Sequence, residues 1–146
     1  MSFFNNKVVV VTGGSDGIGK ALVNSLIDRG AKVATCGRNY DKLYQLQTSH
    51  AGTSLITYTA DVSNETDCRN FINEVVKTFG TIDILINNAG ISMRALFLET
   101  EPDTLKKVMD VNFWGTVYCT KFALPYIIKQ KGTVTGVSSI AGYRGL

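Results

Sequence analysis

The chain has 146 residues, 45% of them hydrophobic and 18% charged, so it can bury a core, and a single domain is the expected organisation. That balance excludes an unstructured tail. Fifteen Lys and Arg stand against 12 Asp and Glu, a net of +3 scattered along the chain, which reads as a solvated surface and speaks against nucleic-acid binding.

Lys7–Thr12 is a continuous β-branched run, the pattern of a strand buried on both faces. Ile18–Arg29 repeats apolar residues at Ile18, Ala21, Leu22 and Leu26 with the helical period, and Gly30 stops it. Lys32–Cys36 reads as a second short strand, Asp41–Gln47 as a helix through Leu43 and Leu46, and Ser54–Thr59 as a third strand. Cys68, Phe71, Ile72, Val75, Val76 and Phe79 recur at three- and four-residue steps, an amphipathic helix with Asn64 as N-cap and Gly80 as stop. Ile82–Ile86 is a fourth buried strand, and Thr100, Pro102 and Asp103 mark the next helix start, with Pro tolerated in the first turn. From there to about Lys129 the helix is apolar on more than one side, through Val108, Met109, Phe113, Trp114, Val117, Phe122, Leu124 and Ile127, and calls for cover from another helix or another chain. Gly132–Ser138 reads as a fifth strand. Strand–helix alternation with short links predicts right-handed crossovers and an α/β fold, a doubly wound parallel sheet with helices on both faces.

The three cysteines, Cys36, Cys68 and Cys119, are widely spaced and form neither a C-x-x-C pair nor a disulfide framework, which fits a reducing, cytoplasmic compartment. The single His50 leaves no His-based metal set or triad, and no metal site is expected. Met1–Lys7 lacks a basic region followed by an apolar run, and no stretch is long enough to cross a bilayer.

Chemistry concentrates after the first strand, in Thr12-Gly13-Gly14-Ser15-Asp16-Gly17-Ile18-Gly19. The first glycine permits a turn, the second lets backbone approach a pyrophosphate, and the third lets the helix pack close to the strand. The phosphates then meet N–H groups at a helix amino end. The strand before this string and the helix after it supply the context that gives the string its meaning.

These residues resemble the short-chain dehydrogenase/reductase family, and the resemblance runs along essentially the whole chain, 1–146. Thr12–Gly19 is similar to the family's T-G-x-x-x-G-[IL]-G turn, and Asp61-Val62 to the acidic residue that holds the adenine amino group. Asn87-Asn88-Ala89-Gly90 resembles the N-N-A-G signature whose backbone lines the cofactor. Asn112 falls where the family has its helix asparagine, and Ser139 on its substrate-side serine. The resemblance implies a Rossmann-like sheet in the order 3-2-1-4-5. It implies cofactor contacts from Gly13, Ser15, Gly17, Ile18, Gly19, Arg38, Asp61, Val62, Asn88, Ala89 and Gly90, and catalytic roles for Asn112 and Ser139. It also implies hydride transfer between a nicotinamide dinucleotide and a small carbonyl or alcohol substrate. Gly13, Arg38, Asp61, Asn88 and Ser139 all fall at or just past strand ends, where a doubly wound sheet binds its ligand.

Choice between the two dinucleotides falls just after the second strand, at Cys36-Gly37-Arg38-Asn39. An acid there would hold a ribose 2′-hydroxyl, and an arginine would accept a 2′-phosphate. Arg38 argues for NADP(H) over NAD(H), while Asp16 in the glycine loop argues the other way unless it points to solvent.

The family's proton donor is a tyrosine with lysine four residues on, whose cation lowers the phenol's pKa. None of Tyr40, Tyr44, Tyr58, Tyr118, Tyr126 and Tyr143 has that lysine; Tyr118 and Tyr126 have Lys121 and Lys129 three residues on, and Tyr143 lies too close behind Ser139. The chain is therefore expected to be the amino-terminal part of the family domain, with its carboxy-terminal part missing, and a weak catalyst alone. The expected consequences are an edge at the fifth strand and exposure of Phe113, Trp114 and Phe122, with association, such as a homo-oligomer, through the 104–129 helix. The alternatives are a module that binds a dinucleotide without catalysis, and an interaction role for the apolar helix. Met93 and Arg94 are candidates for a substrate pocket or a surface loop, Trp114 for packing, and the cysteines for buried apolar positions.

Overall fold

Four consecutive valines open the first strand, β1 (Val8–Thr12), and every residue of that strand is buried. The computed structural model describes residues 2–142, so Tyr143 lies outside the described residues. The other strands are β2 (Lys32–Gly37), β3 (Leu55–Thr59), β4 (Ile84–Asn87) and β5 (Thr133–Gly136). They form one parallel sheet in the order β3-β2-β1-β4-β5, a Rossmann-like arrangement. β1 is central, paired with β2 from Val8↔Lys32 to Thr12↔Cys36 and with β4 from Val9↔Ile84 to Val11↔Ile86.

Side chains of a strand alternate between faces, and here the alternation divides the core in two. Val8 and Val10 join Phe71, Ile72 and Val75 of α3 (Glu65–Phe79), while Val9 and Val11 join Val23 and Leu26 of α1 (Gly17–Asp28) and Leu46 of α2 (Tyr40–Ser49). Asn64 caps α3 by accepting from Thr66 N at 2.9 Å and Asp67 N at 3.1 Å, and Gly80 ends it with φ 80°, as the sequence suggests.

Most boundaries shift by a residue or two from the sequence reading, and the differences with a structural cause lie in the second half of the chain. β4 starts at Ile84 because the Asp83 carboxylate takes the Val8 N–H at 2.9 Å, where a ladder carbonyl would otherwise sit, and Lys7 Nζ at 2.8 Å. The next helix starts at Pro102, as the sequence suggests, with Glu101 before it, and the Thr100 hydroxyl donates to Leu96 O at 2.9 Å over the 3₁₀ turn Phe97–Glu99. The long helix is continuous, as the sequence suggests, but widens to a π turn at Asp110–Trp114 that divides it into α4 (Pro102–Met109) and α5 (Gly115–Lys129). β5 is shorter than Gly132–Ser138 and exposed along its length, at the edge of the described sheet.

The π turn and α5 bury one stripe, Val111, Gly115, Cys119, Ala123 and Ile127, at four-residue steps. A Cβ on Gly115 would lie 2.8 Å from Val62 Cγ2, so this glycine lets α5 approach the residue that follows β3. The opposite face leaves Met109, Phe113, Trp114, Leu124 and Ile128 exposed, whereas Phe122 is half-buried beneath the Arg69 guanidinium, 5.4 Å from the ring centre. Among the described residues no helix is long and apolar enough to cross a membrane.

Candidate functional site

The carboxyl ends of β1 to β4 enclose a cavity of about 520 Å³. All eleven residues that the sequence nominates for a cofactor line it: Gly13, Ser15, Gly17, Ile18 and Gly19 after β1, Arg38 after β2, Asp61 and Val62 after β3, and Asn88, Ala89 and Gly90 after β4. The crevice outside the carboxyl ends is where this class of sheet takes a ligand.

The turn after β1 is held by hydroxyls buried in the strands. Thr35 Oγ1 accepts from Gly14 N at 3.0 Å and donates to Val11 O at 2.6 Å, while Gly13 N donates to Cys36 O at 2.9 Å. Thr12 Oγ1 accepts from both Asn88 N and Ala89 N at 3.0 Å, and Asn88 Nδ2 returns to Thr12 O at 3.0 Å. The β1 and β4 turns are thus tied directly to each other. Gly19 packs on the turn rather than on the strand the sequence suggested, since a Cβ there would lie 2.2 Å from Gly13 O. Gly17 has φ 50° and open space where a Cβ would stand, so the cavity keeps a shallow bay at the amino end of α1. Such a bay, lined by backbone at a helix amino end, fits a pyrophosphate.

Asp61 accepts from Ser63 N at 3.0 Å and Ser63 Oγ at 2.7 Å, which fixes its carboxylate at the cavity wall. Arg38 is exposed on the rim, just before Asn39, whose side chain caps α2 by accepting from Lys42 N at 2.9 Å. Asp16 also lines the cavity; it caps α1 through Gly17 N and pairs with the Lys42 ammonium. The Lys42 hydrogen bond, then the Gly17 N–H, hold the Asp16 carboxyl below its usual range. The acid that argued against a phosphate is therefore a compensated charge.

Asn112 and Ser139 do not line the cavity. Asn112, in the π turn, donates Nδ2 to Ile91 O and accepts Ile91 N at its Oδ1, both at 2.8 Å. It thereby clamps the residue after Gly90, and Ile91 itself lines the cavity. Ser139 follows β5, and its carbonyl accepts from Gly142 N at 3.0 Å. Met93 and Arg94 are exposed and also lie off the cavity wall. The sequence reading missed Ala60, Ile91 and Val111 as lining residues and Thr35 as the support beneath them. A signal existed only for Thr35, a polar residue inside the apolar run Val33-Ala34-Thr35-Cys36.

Cys36, Cys68 and Cys119 are buried free thiols; burial pushes Cys36 up to about 12, and the Cys68 contact followed by burial pushes Cys119 up as well. Trp114 stacks on Tyr118 with ring centres 5.7 Å apart and meets Phe113 edge-on, a packing role. His50 ends α2 and its Nε2 lies 2.9 Å from Asn24 Oδ1.

The short chain dehydrogenase family model matches residues 7–146. The chain is 40% identical over 137 residues to the 11-beta-hydroxysteroid dehydrogenase-like 3 of Arabidopsis thaliana, covering 91% of this chain and 44% of that protein. It is 42% identical over 139 residues to the 11-beta-hydroxysteroid dehydrogenase A of Arachis hypogaea, covering 92% of this chain and 40% of that protein. The fold is similar to the crystal structure of a short chain dehydrogenase/reductase from Burkholderia phymatum in complex with NAD, with TM-score 0.94, 25% identity, and coverage of 100% of this chain and 53% of that chain. The chain thus spans less than half the length of these two curated relatives.

Proposed function

The chain belongs to the short chain dehydrogenase family, and from that premise we propose that residues 1–146 form the dinucleotide-holding part of an oxidoreductase. The reaction is hydride transfer between a nicotinamide dinucleotide, NADP(H) in preference to NAD(H), and the carbonyl or alcohol carbon of a small molecule. The observation that carries this reading is the convergence of the Gly13–Gly19 turn, Arg38, Asp61 and Asn88–Gly90 on one cavity wall. The relatives named as hydroxysteroid dehydrogenases favour a hydroxyl or ketone on an apolar ring system as substrate.

The bound nicotinamide supplies the hydride chemistry. The chain's residues bind and orient it. The amino end of α1 receives the pyrophosphate, Arg38 the 2′-phosphate, and Asp61 the adenine amino group. The Asn88–Gly90 backbone lines the remainder, held to β1 through Thr12. Ser139 holds the substrate oxygen, and Asn112 supports proton transfer from its clamp on Ile91. The buried free thiols suit a reducing compartment such as the cytoplasm.

A second reading is dinucleotide binding without sustained turnover. It is favoured by the cavity wall itself, which is lined by the candidate cofactor residues and not by Asn112 or Ser139. Titration with NADPH and NADH, followed by energy transfer from Trp114, tests the first point. The expected result is saturable binding with NADPH tighter by about tenfold, the scale of one charge-assisted hydrogen bond, and loss of that preference in Arg38→Leu. Binding of neither dinucleotide would overturn the reading. Turnover of carbonyl substrates by this polypeptide, dependent on Ser139, would decide against the binding-only alternative.

A further inference from the structure

On the cavity that Arg38 and Asp16 both line, a carboxylate and an ammonium meet that the glycine turn does not require. Asp16 uses one oxygen to cap α1, accepting from Gly17 N at 2.8 Å, and the other to hold Lys42 Nζ. Lys42 reaches it from the first turn of α2, where its own N–H is bound to the capping Asn39, the residue next to Arg38. Arg38 and Asp16 both line the cavity, and Asp16 ties Lys42, four residues on from Arg38, to the cavity wall.

The pair is open to water, with the Lys42 and Asp16 side chains 50% and 72% exposed. An ammonium has three donors, and among the described residues Asp16 is the hydrogen-bond partner of its side chain. An exposed pair is held loosely, so Lys42 can share itself with a second anion without first breaking a buried contact. Lys20 adds positive potential at Asp16. The formal charge of Arg38, Lys42 and Asp16 is +1 together, and it falls to zero without Lys42.

We infer that Lys42 is a specificity-determining residue for a phosphomonoester at this cavity. Asp16 positions its ammonium beside Arg38, and the two cations together grip the 2′-phosphate that separates NADP(H) from NAD(H). This inference rests on the proposed NADP(H) reading and adds a residue to it. Asp16 then acts as a tether for a cation rather than as a repulsive charge, and it turns repulsive only when Lys42 is removed.

Dissociation constants for NADPH and NADH measured on Arg38→Leu, Lys42→Met, Lys42→Arg and the Lys42→Met/Asp16→Asn double variant test it, with circular dichroism confirming the fold of each. Lys42→Met is expected to weaken NADPH by about tenfold and leave NADH within about twofold, because only the phosphate loses a charged partner. Lys42→Arg keeps the preference. The double variant regains most of the lost NADPH affinity, since the uncompensated carboxylate has gone. Equal effects on both dinucleotides, or none on either, would overturn the inference and leave Lys42 a surface partner of the α1 cap. If Arg38→Leu abolishes the preference while Lys42→Met preserves it, the inference alone fails. If the unmodified chain has no preference for NADPH, the NADP(H) reading fails and the inference falls with it.

Discussion

Cys36 ends the buried part of β2, and its carbonyl takes the Gly13 N–H at 2.9 Å, so a single residue serves both the core and the glycine turn. Its thiol has no exposure, and burial pushes it from the ordinary 9.0 up to about 12, against a smaller lowering by the Gly13 amide. Below about pH 9 the thiol is protonated in the folded and the unfolded chain alike, and its contribution to stability is fully present. Between pH 9 and about 12 the unfolded chain releases the proton while the folded chain keeps it, so stability falls. One group displaced in this way costs about 1.4 kcal/mol per pH unit at most. Urea unfolding at pH 8, 9.5 and 10.5 should therefore show a shallower decline for Cys36→Ala than for the unaltered chain. Every other side chain is common to both proteins, so the difference isolates the thiol. Parallel declines would mean that Cys36 ionises as readily folded as unfolded.

The β1–α1 turn depends on strands that do not belong to it. Thr35 of β2 satisfies the Gly14 N–H and donates to Val11 O, and it reaches both across more than twenty residues of sequence. Thr35→Val removes both bonds and leaves a buried N–H without its partner, a loss of about 1–3 kcal/mol. The expected outcome is a lower urea midpoint together with weaker NADPH binding, and Thr35→Ser retains most of both because the hydroxyl remains. A valine variant as stable and as avid as the parent would show that the turn needs no support from β2. These contacts also mark what could be read from sequence. The helices were legible from periodic apolar residues and from local signals such as Asn64 and Gly80, which act within a turn of their own helix. The cavity was legible because its wall is built from glycines and polar residues at fixed offsets after each strand. Thr12 and Thr35 are polar residues in apolar runs, a signal within their own strands, but nothing in the sequence marks their partners, up to 77 residues away. The π turn escaped notice because inserting it leaves apolar composition unchanged while rotating the face that follows. Ala60, Ile91 and Val111 escaped because an apolar residue at a strand end or on a helix carries no mark of the cavity it lines.

For the molecule as a whole, the burial of one side of the π turn and α5 decides what the other side exposes. Gly115, Cys119 and Ala123 are small, and they let α5 sit close to α3 and the sheet, which turns the larger side chains outward. Phe113 is 50% exposed, Trp114 44% and Ile128 65%, and nearby in sequence Phe97 and Leu98 are 78% and 98% exposed. Met109, Phe113, Trp114, Leu124 and Ile128 are exposed within the 104–129 segment expected to mediate association. Full burial of one such aromatic or aliphatic side chain is worth about 1.5–3 kcal/mol, so covering several of them against a second copy is favourable once the copies are concentrated enough to meet. Sedimentation velocity over a range of concentrations is expected to show reversible self-association. Phe113→Glu combined with Ile128→Glu should shift the boundary towards monomer, because two buried charges would then have to be desolvated at the contact. Leu98→Glu, placed on the loop before α4, serves as the comparison: it should leave association through the helix largely intact. A chain that stays monomeric at every concentration would place the cover of this face elsewhere, and dissociation by Leu98→Glu alone would move the contact from the helix to the loop.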